Sequence, residues 1–395
     1  MHNIPLKYIL PLLGLTVSAF VFNTSEFMPI GLLLDMADSF NMTAGQLGII
    51  ITVYAWVVAL LSLPLMLLAS SMNVRKLLLL TVALFAIGQI ASGLAVNFFM
   101  LVAARICVAC AHAVFWSLAG PLATRLVTRV HRPFALSMIV TGSAIAMIFG
   151  LPIGRVIGLY AGWRMTFLII AGIAIAIVIY QWRFFPELIE ARTPEKISLK
   201  EMLRQPIIYA NYLITILFAT AYYTVYSYIE PFLQNVAHFD AEWITGVLML
   251  LGVCGLMGSF IFSHFYGSAR YLIIRNSLLG LFIPLMLWQV AASNFITMTA
   301  ACMFIGMIAT LFNVTFQAEL IRNVPSSAAP IAMSISSGSF NIGIGGGTFI
   351  GSTITGANLI ASIGYAGAVI AGLALICTLF IYLPAARKQA STTRG

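Results

Sequence analysis

The stretch 19-AFVFNTSEFMPIGLLL-34 is the most informative part of the sequence, because it places an ionisable residue, Glu26, inside an apolar run. About 20 apolar residues in succession are typical of a helix that crosses a membrane. A charged side chain inside such a helix costs about 2.5–3.5 kcal/mol on insertion scales, and it normally faces the protein interior or a water-filled cavity. The stretch therefore predicts a membrane helix that carries a functional acid.

A second stretch, 222-YYTVYSYIEPFLQ-234, repeats this pattern in the other half of the chain, with Glu230 late in an apolar run. Further acidic residues follow each glutamate at similar distances, namely Asp35 and Asp38, and Asp240 and Glu242. One acid in a matching place of each half predicts an internally duplicated membrane protein that moves a solute or an ion.

The composition excludes a soluble protein. Of the 395 residues, 61% are hydrophobic and only 8% are charged, whereas soluble domains carry about 25% charged residues. The net charge of +9 does not indicate nucleic-acid binding, because no basic run interleaves with aromatic residues. All five cysteines lie in apolar segments, where a free thiol behaves as a small hydrophobe. We therefore expect a lipid bilayer around the protein, and neither metal nor cofactor.

Apolar runs bounded by charged or turn residues predict twelve membrane-spanning helices, which we number spans 1 to 12. They lie at 9–34, 44–68, 77–96, 98–123, 134–158 and 163–183, and at 206–234, 243–263, 271–291, 296–320, 329–356 and 363–384. The most polar segment of the chain separates the two sets. The predicted fold is all-α integral membrane, with two pseudo-symmetric six-helix bundles at 1–184 and 206–395 and a cytoplasmic linker at 185–205. Transporters of this layout bind their substrates between the halves.

Basic residues predict the orientation. If the N-terminus is cytoplasmic, 17 of the 20 Lys and Arg residues lie on the cytoplasmic side; the exceptions are Arg105, Arg155 and Arg164. Because cytoplasmic loops carry an excess of Lys and Arg, we expect both termini in the cytoplasm.

Small residues recur every fourth position in two spans. Span 5 carries Gly142, Ala146, Gly150, Gly154 and Gly158, and span 11 carries Ser339, Gly343, Gly347, Gly351 and Thr355. Such stripes let helix backbones approach closely. Static packing and a sliding contact between the two halves are both open interpretations.

One face of span 4 combines a cation with a titratable ring. Arg105, His112 and Trp116 are spaced seven and four residues apart, so they share a stripe. At a rise of 1.5 Å per residue, Glu26 and Arg105 each lie about 11 Å below the outer end of their helix. We expect the two to pair and His112 to relay protons. The alternatives are a structural ion pair and an ordinary interior histidine.

Uncharged polar and aromatic side chains predict the substrate contacts. Phe22 and Asn23 precede Glu26 by about one turn, and Tyr222, Tyr226 and Glu230 share a face of span 7. Asn313 in span 10 and Asn341 in span 11 add amides, and His112 and Trp116 in span 4 are also expected to contact the substrate. Such side chains suit a neutral, hydroxyl-rich ligand, although the span 7 aromatics could instead form an interfacial belt. The sequence predicts no catalytic motif. The segment 340-FNIGIGGG-347 is glycine-rich, but it lacks the lysine of a nucleotide-binding loop.

Several stretches together resemble a known family. They are 22-FNTSEFMPIGLL-33, 54-YAWVVALLSLP-64, 75-RKLLL-79, 111-AHAVFWSL-118, 150-GLPIGRVIG-158, 162-GWRMTF-167, 226-YSYIEPF-232 and 340-FNIGIG-345. The chain resembles the major facilitator superfamily in its drug:proton antiporter branch, and most closely the bacterial sugar efflux transporters. Arg105 stands at the arginine of the family's span 4 motif, and Gly150, Pro152 and Gly154 resemble its span 5 antiporter motif.

The loop after span 2 departs from that family. Arg75 and Lys76 match its paired basic residues, but Ser71 stands where the family usually has an aspartate. The resemblance implies a role in conformational change for Arg75 and Lys76 and for the span 5 motif of Gly150, Pro152 and Gly154. The resemblance implies a monomer in the bacterial inner membrane that exports sugars, such as arabinose or related glycosides, in exchange for protons by alternating access. Export of drugs or nucleosides is the alternative. A membrane sensor would need a cytosolic output domain and an enzyme a nucleophile–base pair, and the sequence predicts neither.

Overall fold

A computed structural model of the protein describes residues 6–69, 72–128, 131–187, 205–324 and 329–392. Within these ranges the regular secondary structure is helical. Ser71 and most of the predicted linker, 188–204, lie outside the described residues.

The helices of the first half begin with α1 (Leu6–Phe27), a 3₁₀ turn (Met28–Leu32) and α2 (Leu33–Ser39). They continue with α3 (Ala44–Ala69), α4 (Val74–Gly93), α5 (Phe98–Arg125), α6 (Arg132–Ile145), a π-helical turn (Ala146–Gly150), α7 (Leu151–Ala161) and α8 (Trp163–Phe184).

The second half comprises α9 (Pro206–Tyr226), α10 (Ile229–Asn235), α11 (Ala241–Met286), α12 (Trp288–Ala291), α13 (Phe295–Asn323) and α14 (Ala329–Gly356). A 3₁₀ turn (Ile360–Ser362) leads to α15 (Ile363–Cys377), a second π-helical turn (Thr378–Tyr382) and α16 (Leu383–Thr392).

The predicted membrane fold is confirmed. In the described part of the chain, ten helices are long and apolar enough to cross a membrane. One of them, α11, has 46 residues and non-helical backbone at Ala269, so it comprises spans 8 and 9. The glycine-rich α14, with 28 residues, lies at span 11. Large apolar side chains such as Phe99 and Tyr160 are more than 80% exposed, as expected of surfaces that contact lipid rather than water.

Packing divides the chain into two compact units, Met1–Met42 with Val53–Thr193, and Thr43–Thr52 with Pro194–Gly395. In the first unit, α1 packs on α6 and α8, and α4 packs on α5 and α8. In the second, α9 packs on α14 and α15, and α11 packs on α13. The predicted bundles 1–184 and 206–395 stay a prediction; the packing groups the first turns of α3 with the second unit.

Asparagines and a capping box define where several helices begin. The side chain of Asn73 accepts hydrogen bonds from the amides of Arg75 and Lys76 at the start of α4, and Asn97 accepts one from Met100 at the start of α5. At the start of α3, Thr43 and Gln46 bond each other's amides at 3.0 and 3.2 Å. These side chains satisfy donors that the first turn of a helix leaves unpaired.

Both spans that carry the predicted acids are interrupted. In span 1 the α-helix ends at Phe27, directly after Glu26, and the 3₁₀ turn contains Pro29. In span 7, α9 ends at Tyr226, and Glu230 lies in the first turn of α10. Each acid therefore lies beside a change in helix geometry. In span 1 the change is a short 3₁₀ segment, which often marks a hinge.

In the described residues, glycines of both small-residue stripes pack closely against helices of their own unit, and a sliding contact between the halves stays a prediction. A Cβ added at Gly150 would lie 3.1 Å from the Cα of Thr24, and one at Gly154 would lie 2.9 Å from the Cβ of Met28. In the second unit, a Cβ at Gly347 would lie 2.3 Å from the carbonyl oxygen of Thr220 in α9. The four-residue spacing predicted close approach, but the spacing alone does not identify the partner helix.

Candidate functional site

The predicted acid and the predicted histidine come together in the first unit. Glu26 Oε2 lies 3.6 Å from His112 Nε2, with the two side chains 10% and 4% exposed. This separation is slightly longer than a hydrogen bond. A carboxylate and an imidazole so placed can exchange a proton after a small movement or through one water.

Arg105 contacts the residue beside Glu26 instead of the carboxylate expected from helix depth. Its Nη2 donates to the carbonyl oxygen of Ser25 at 3.1 Å and its Nη1 to the Ser25 Oγ at 3.3 Å. Position along a helix does not fix the direction of a side chain, and the hydrogen bonds of Arg105 go to Ser25. The role of Arg105 as charge partner of Glu26 stays a prediction.

Three residues of this cluster were not predicted, namely Ser25, Tyr54 and Gln89. The Gln89 side chain donates to Ser25 Oγ. The Arg105 guanidinium lies 4.4 Å from the centre of the Tyr54 ring, and the Tyr54 and His112 rings are 5.5 Å apart at 74°. A glutamine and a tyrosine inside apolar spans were the available signals, because buried polar groups in a membrane need partners.

The aromatic residues predicted to contact substrate in this unit differ in exposure. Phe22 is 1% exposed and stacks between Phe85 and Phe115 at 4.0 and 4.3 Å. Trp116 is partly exposed, with its ring 6.1 Å from that of His112, and Asn23 is buried. The geometry supports a packing role for Phe22 and leaves Trp116 accessible to a ligand.

In the second unit, the predicted tyrosines form an aromatic cluster. The rings of Tyr222 and Tyr226 stack at 5.0 Å and 22°, and the ring of Tyr223 lies edge-on to both, at 5.2 and 5.6 Å. Both predicted tyrosines are buried. Glu230 is 1% exposed in the next turn of the same span.

A cavity of about 190 Å³ lies within the second unit and contains one predicted amide, Asn313. The Gln317 side chain donates to Asn313 Oδ1. Asn341 lies one turn from the cavity-lining Ser337 and donates to its carbonyl oxygen at 3.1 Å. The lining is uncharged and partly aromatic: Thr215, Phe312, Asn313, Phe316, Gln317, Met333, Ser336, Ser337 and Phe340.

The predicted conformational residues lie at helix ends and in the stripe of the first unit. The Arg75 Nη2 donates to the carbonyl oxygen of Trp182 at 2.5 Å, and its Nη1 lies 3.7 Å from Glu187 Oε1. Lys76 is exposed one residue later. Pro152 is in the first turn of α7, between the closely packed Gly150 and Gly154. A role for these residues in conformational change stays a prediction.

A further buried acid, Glu319, was not predicted. Its side chain is fully buried and accepts hydrogen bonds from Arg270 Nε at 2.5 Å, from Arg270 Nη2, from the Tyr266 hydroxyl and from the Tyr382 hydroxyl at 2.7 Å. Arg270 and Glu319 lie near the ends of predicted spans, so from the sequence alone they resemble charged residues at the membrane surface. Only the tertiary packing brings the four residues together.

Comparisons with known proteins agree with this architecture. The sequence profile of the Major Facilitator Superfamily matches residues 15–335. The chain is also similar to two crystal structures of a bacterial homologue of the human lysosomal transporter Spinster. For the inward-facing, unoccupied form, the TM-score is 0.72 at 17% identity over 98% of this chain and 96% of the other. For the inward-facing, occupied form, it is 0.69 at 19% identity over 97% and 96%. At these identities the likeness shows the fold alone.

Proposed function

The chain belongs to the Major Facilitator Superfamily, and on that premise we propose that this membrane transporter exports small neutral solutes in exchange for protons. The observation that carries the proposal is the buried Glu26–His112 pair, with 3.6 Å between carboxylate and imidazole. Ionisable side chains inside membrane-spanning segments typically lie on ion or proton pathways. A proton bound at this pair changes its charge, and the charge change alters the relative stability of the transport conformations.

The cavity of the second unit supports the substrate class. Its polar lining consists of amides and hydroxyls, which donate and accept hydrogen bonds without favouring either sign of charge. Its volume of about 190 Å³ is below the roughly 300–1,000 Å³ of pockets for drug-sized ligands. Sugars such as arabinose or related glycosides combine these properties, with Asn313 and Asn341 as amide contacts and Tyr222 and Tyr226 as aromatic contacts.

Export of nucleosides or drugs is the second candidate. The same cavity is lined by Phe312, Phe316, Phe340 and Met333, and these aromatic and thioether groups suit a flat apolar ligand. A sugar binds chiefly through hydrogen bonds to hydroxyl and amide groups, whereas a lipophilic cation binds chiefly to aromatic faces.

The proposal includes the setting in which the carrier works. We place it as a monomer in a bacterial inner membrane, with both termini cytoplasmic, in agreement with the loop distribution of Lys and Arg. Glu230, which is also buried beside a helix interruption, is the second candidate for proton coupling.

The test is transport by the purified protein in proteoliposomes. Counterflow at equal pH, with a panel of pentoses, hexoses, glycosides, nucleosides and lipophilic cations, identifies the substrate class. A pH gradient is then imposed with each transported compound. We expect counterflow of a neutral sugar or glycoside and its accumulation against a concentration gradient when the pH gradient is present. Counterflow of lipophilic cations alone would favour the second candidate, and gradient-independent transport would contradict proton coupling.

A further inference from the structure

The interruption of span 1 leaves backbone carbonyls without helical partners. The last four carbonyls of an α-helix have no intrahelical donor, and α1 ends at Phe27. For Ser25 the cause is covalent, because its α-helical donor would be the amide of residue 29, and Pro29 has no amide hydrogen. At membrane depth, where water is absent, each such carbonyl needs a donor from the protein.

Two buried arginines donate to backbone carbonyls of this interrupted segment. Arg105 Nη2 donates to the Ser25 carbonyl oxygen at 3.1 Å, and Arg155 Nη1 donates to the Gly31 carbonyl oxygen at 2.8 Å. The two arginines are 1% and 2% exposed. The first bond lies before Pro29 and the second lies after it, within the 3₁₀ turn.

We propose that Arg105 and Arg155 are positioning residues that cap the interrupted backbone of span 1. Arg105 then positions Glu26 through the adjacent Ser25. The capping role does not depend on the proposed function, whereas its consequence for proton coupling rests on it.

The contacts around Ser25 support this assignment. Its Oγ receives bonds from both Arg105 and Gln89, and its carbonyl receives the second Arg105 bond. Glu26 follows directly in the same helical turn, so fixing Ser25 fixes the starting point of the Glu26 side chain. That position determines whether the carboxylate lies close enough to His112 for proton exchange.

A double-mutant cycle with Pro29 tests the cap. Pro29→Ala restores an amide that can bond the Ser25 carbonyl, so that carbonyl no longer depends on Arg105. Arg105→Leu alone is expected to lower the melting temperature in detergent and to slow pH-driven transport by about tenfold, because a buried acceptor loses its donor. In the double variant, most of the lost melting temperature and the wild-type pH profile of transport are expected to return.

A charge-partner role predicts a different result. If Arg105 acts by its charge on Glu26, the effect of Arg105→Leu should be equally large with and without Pro29→Ala in both measurements, and that additivity would overturn the cap. The matched control is Arg164→Leu, which removes a donor from the Ala95 carbonyl oxygen at 3.2 Å. Its effect should be independent of Pro29, since distant sites are usually additive.

The same measurements separate this inference from the proposed function. If the wild-type protein transports no solute in response to a pH gradient, the proposed function fails. The four melting temperatures still decide whether Arg105 and Pro29 are coupled. Conversely, additive melting temperatures in a protein with normal pH-driven transport reject the cap and leave the proposed function standing.

Discussion

Two buried glutamates, Glu26 in the first unit and Glu319 in the second, differ in how their carboxylates are satisfied. Glu319 accepts four hydrogen bonds, two of them from the guanidinium of Arg270. Glu26 lies 3.6 Å from the imidazole of His112, beyond hydrogen-bonding distance. A fully hydrogen-bonded buried ion pair is held in one geometry, whereas a carboxylate beyond hydrogen-bonding distance of its neighbour can change partners. We infer that Glu319 is structural and Glu26 functional.

Neutralising Glu319 tests its structural role. Glu319→Gln leaves the Arg270 cation without its counter-charge in a buried site, which typically costs about 3–5 kcal/mol. We expect a large fall in the melting temperature of the purified protein in detergent. Arg275→Ala, an exposed arginine that donates to Asn276 at 3.2 Å, is the control and should change stability by less than about 0.5 kcal/mol. A wild-type melting temperature for Glu319→Gln would remove the structural assignment.

The sequence predicted the helices far better than the partners of their side chains. The predicted spans fall in helical segments of the described residues, ten of which are long and apolar enough to cross a membrane, because long apolar runs bounded by charges leave little alternative in a membrane. Glu26 and His112 were identified as members of one site because ionisable residues inside such runs are rare. The hydrogen bonds of Arg105 to Ser25 were not predicted because helix depth gives a position only along the helix axis. The Glu319 cluster was missed because its members are far apart in sequence and near span ends.

A second substitution shifts the backbone that carries Glu26 and leaves the Glu26 side chain unchanged. In Gly150→Ala the new Cβ would lie 2.6 Å from Thr24 Oγ1 and 3.1 Å from its Cα, so α1 must move near the acid. We expect a loss of about 1–3 kcal/mol from overpacking, together with slower pH-driven transport by the folded protein. The control is Gly172→Ala, where no atom lies within 4 Å of the added Cβ. If both variants melt and transport alike, the close packing of this stripe on α1 has no influence on Glu26.

A smaller change in stability is expected when the neighbour of Glu26 is altered. His112→Gln keeps a polar side chain of similar size but cannot carry a proton at neutral pH, so we expect a stability change of about 1 kcal/mol or less. The dependence of transport rate on pH should flatten. Tyr54→Phe, which retains the ring beside His112, is the control and should preserve the pH profile. An unchanged profile in His112→Gln would exclude the histidine from the proton path.

The most direct test of the account is Glu26→Gln in proteoliposomes, measured with and without a pH gradient. Glutamine is isosteric with glutamate and mimics its protonated form, so we expect the smallest change in melting temperature of the series. Counterflow of substrate at equal pH should persist, while accumulation driven by the pH gradient should be lost. If the variant still accumulates substrate at the wild-type level in response to the gradient, Glu26 does not couple protons to transport and the central claim is contradicted.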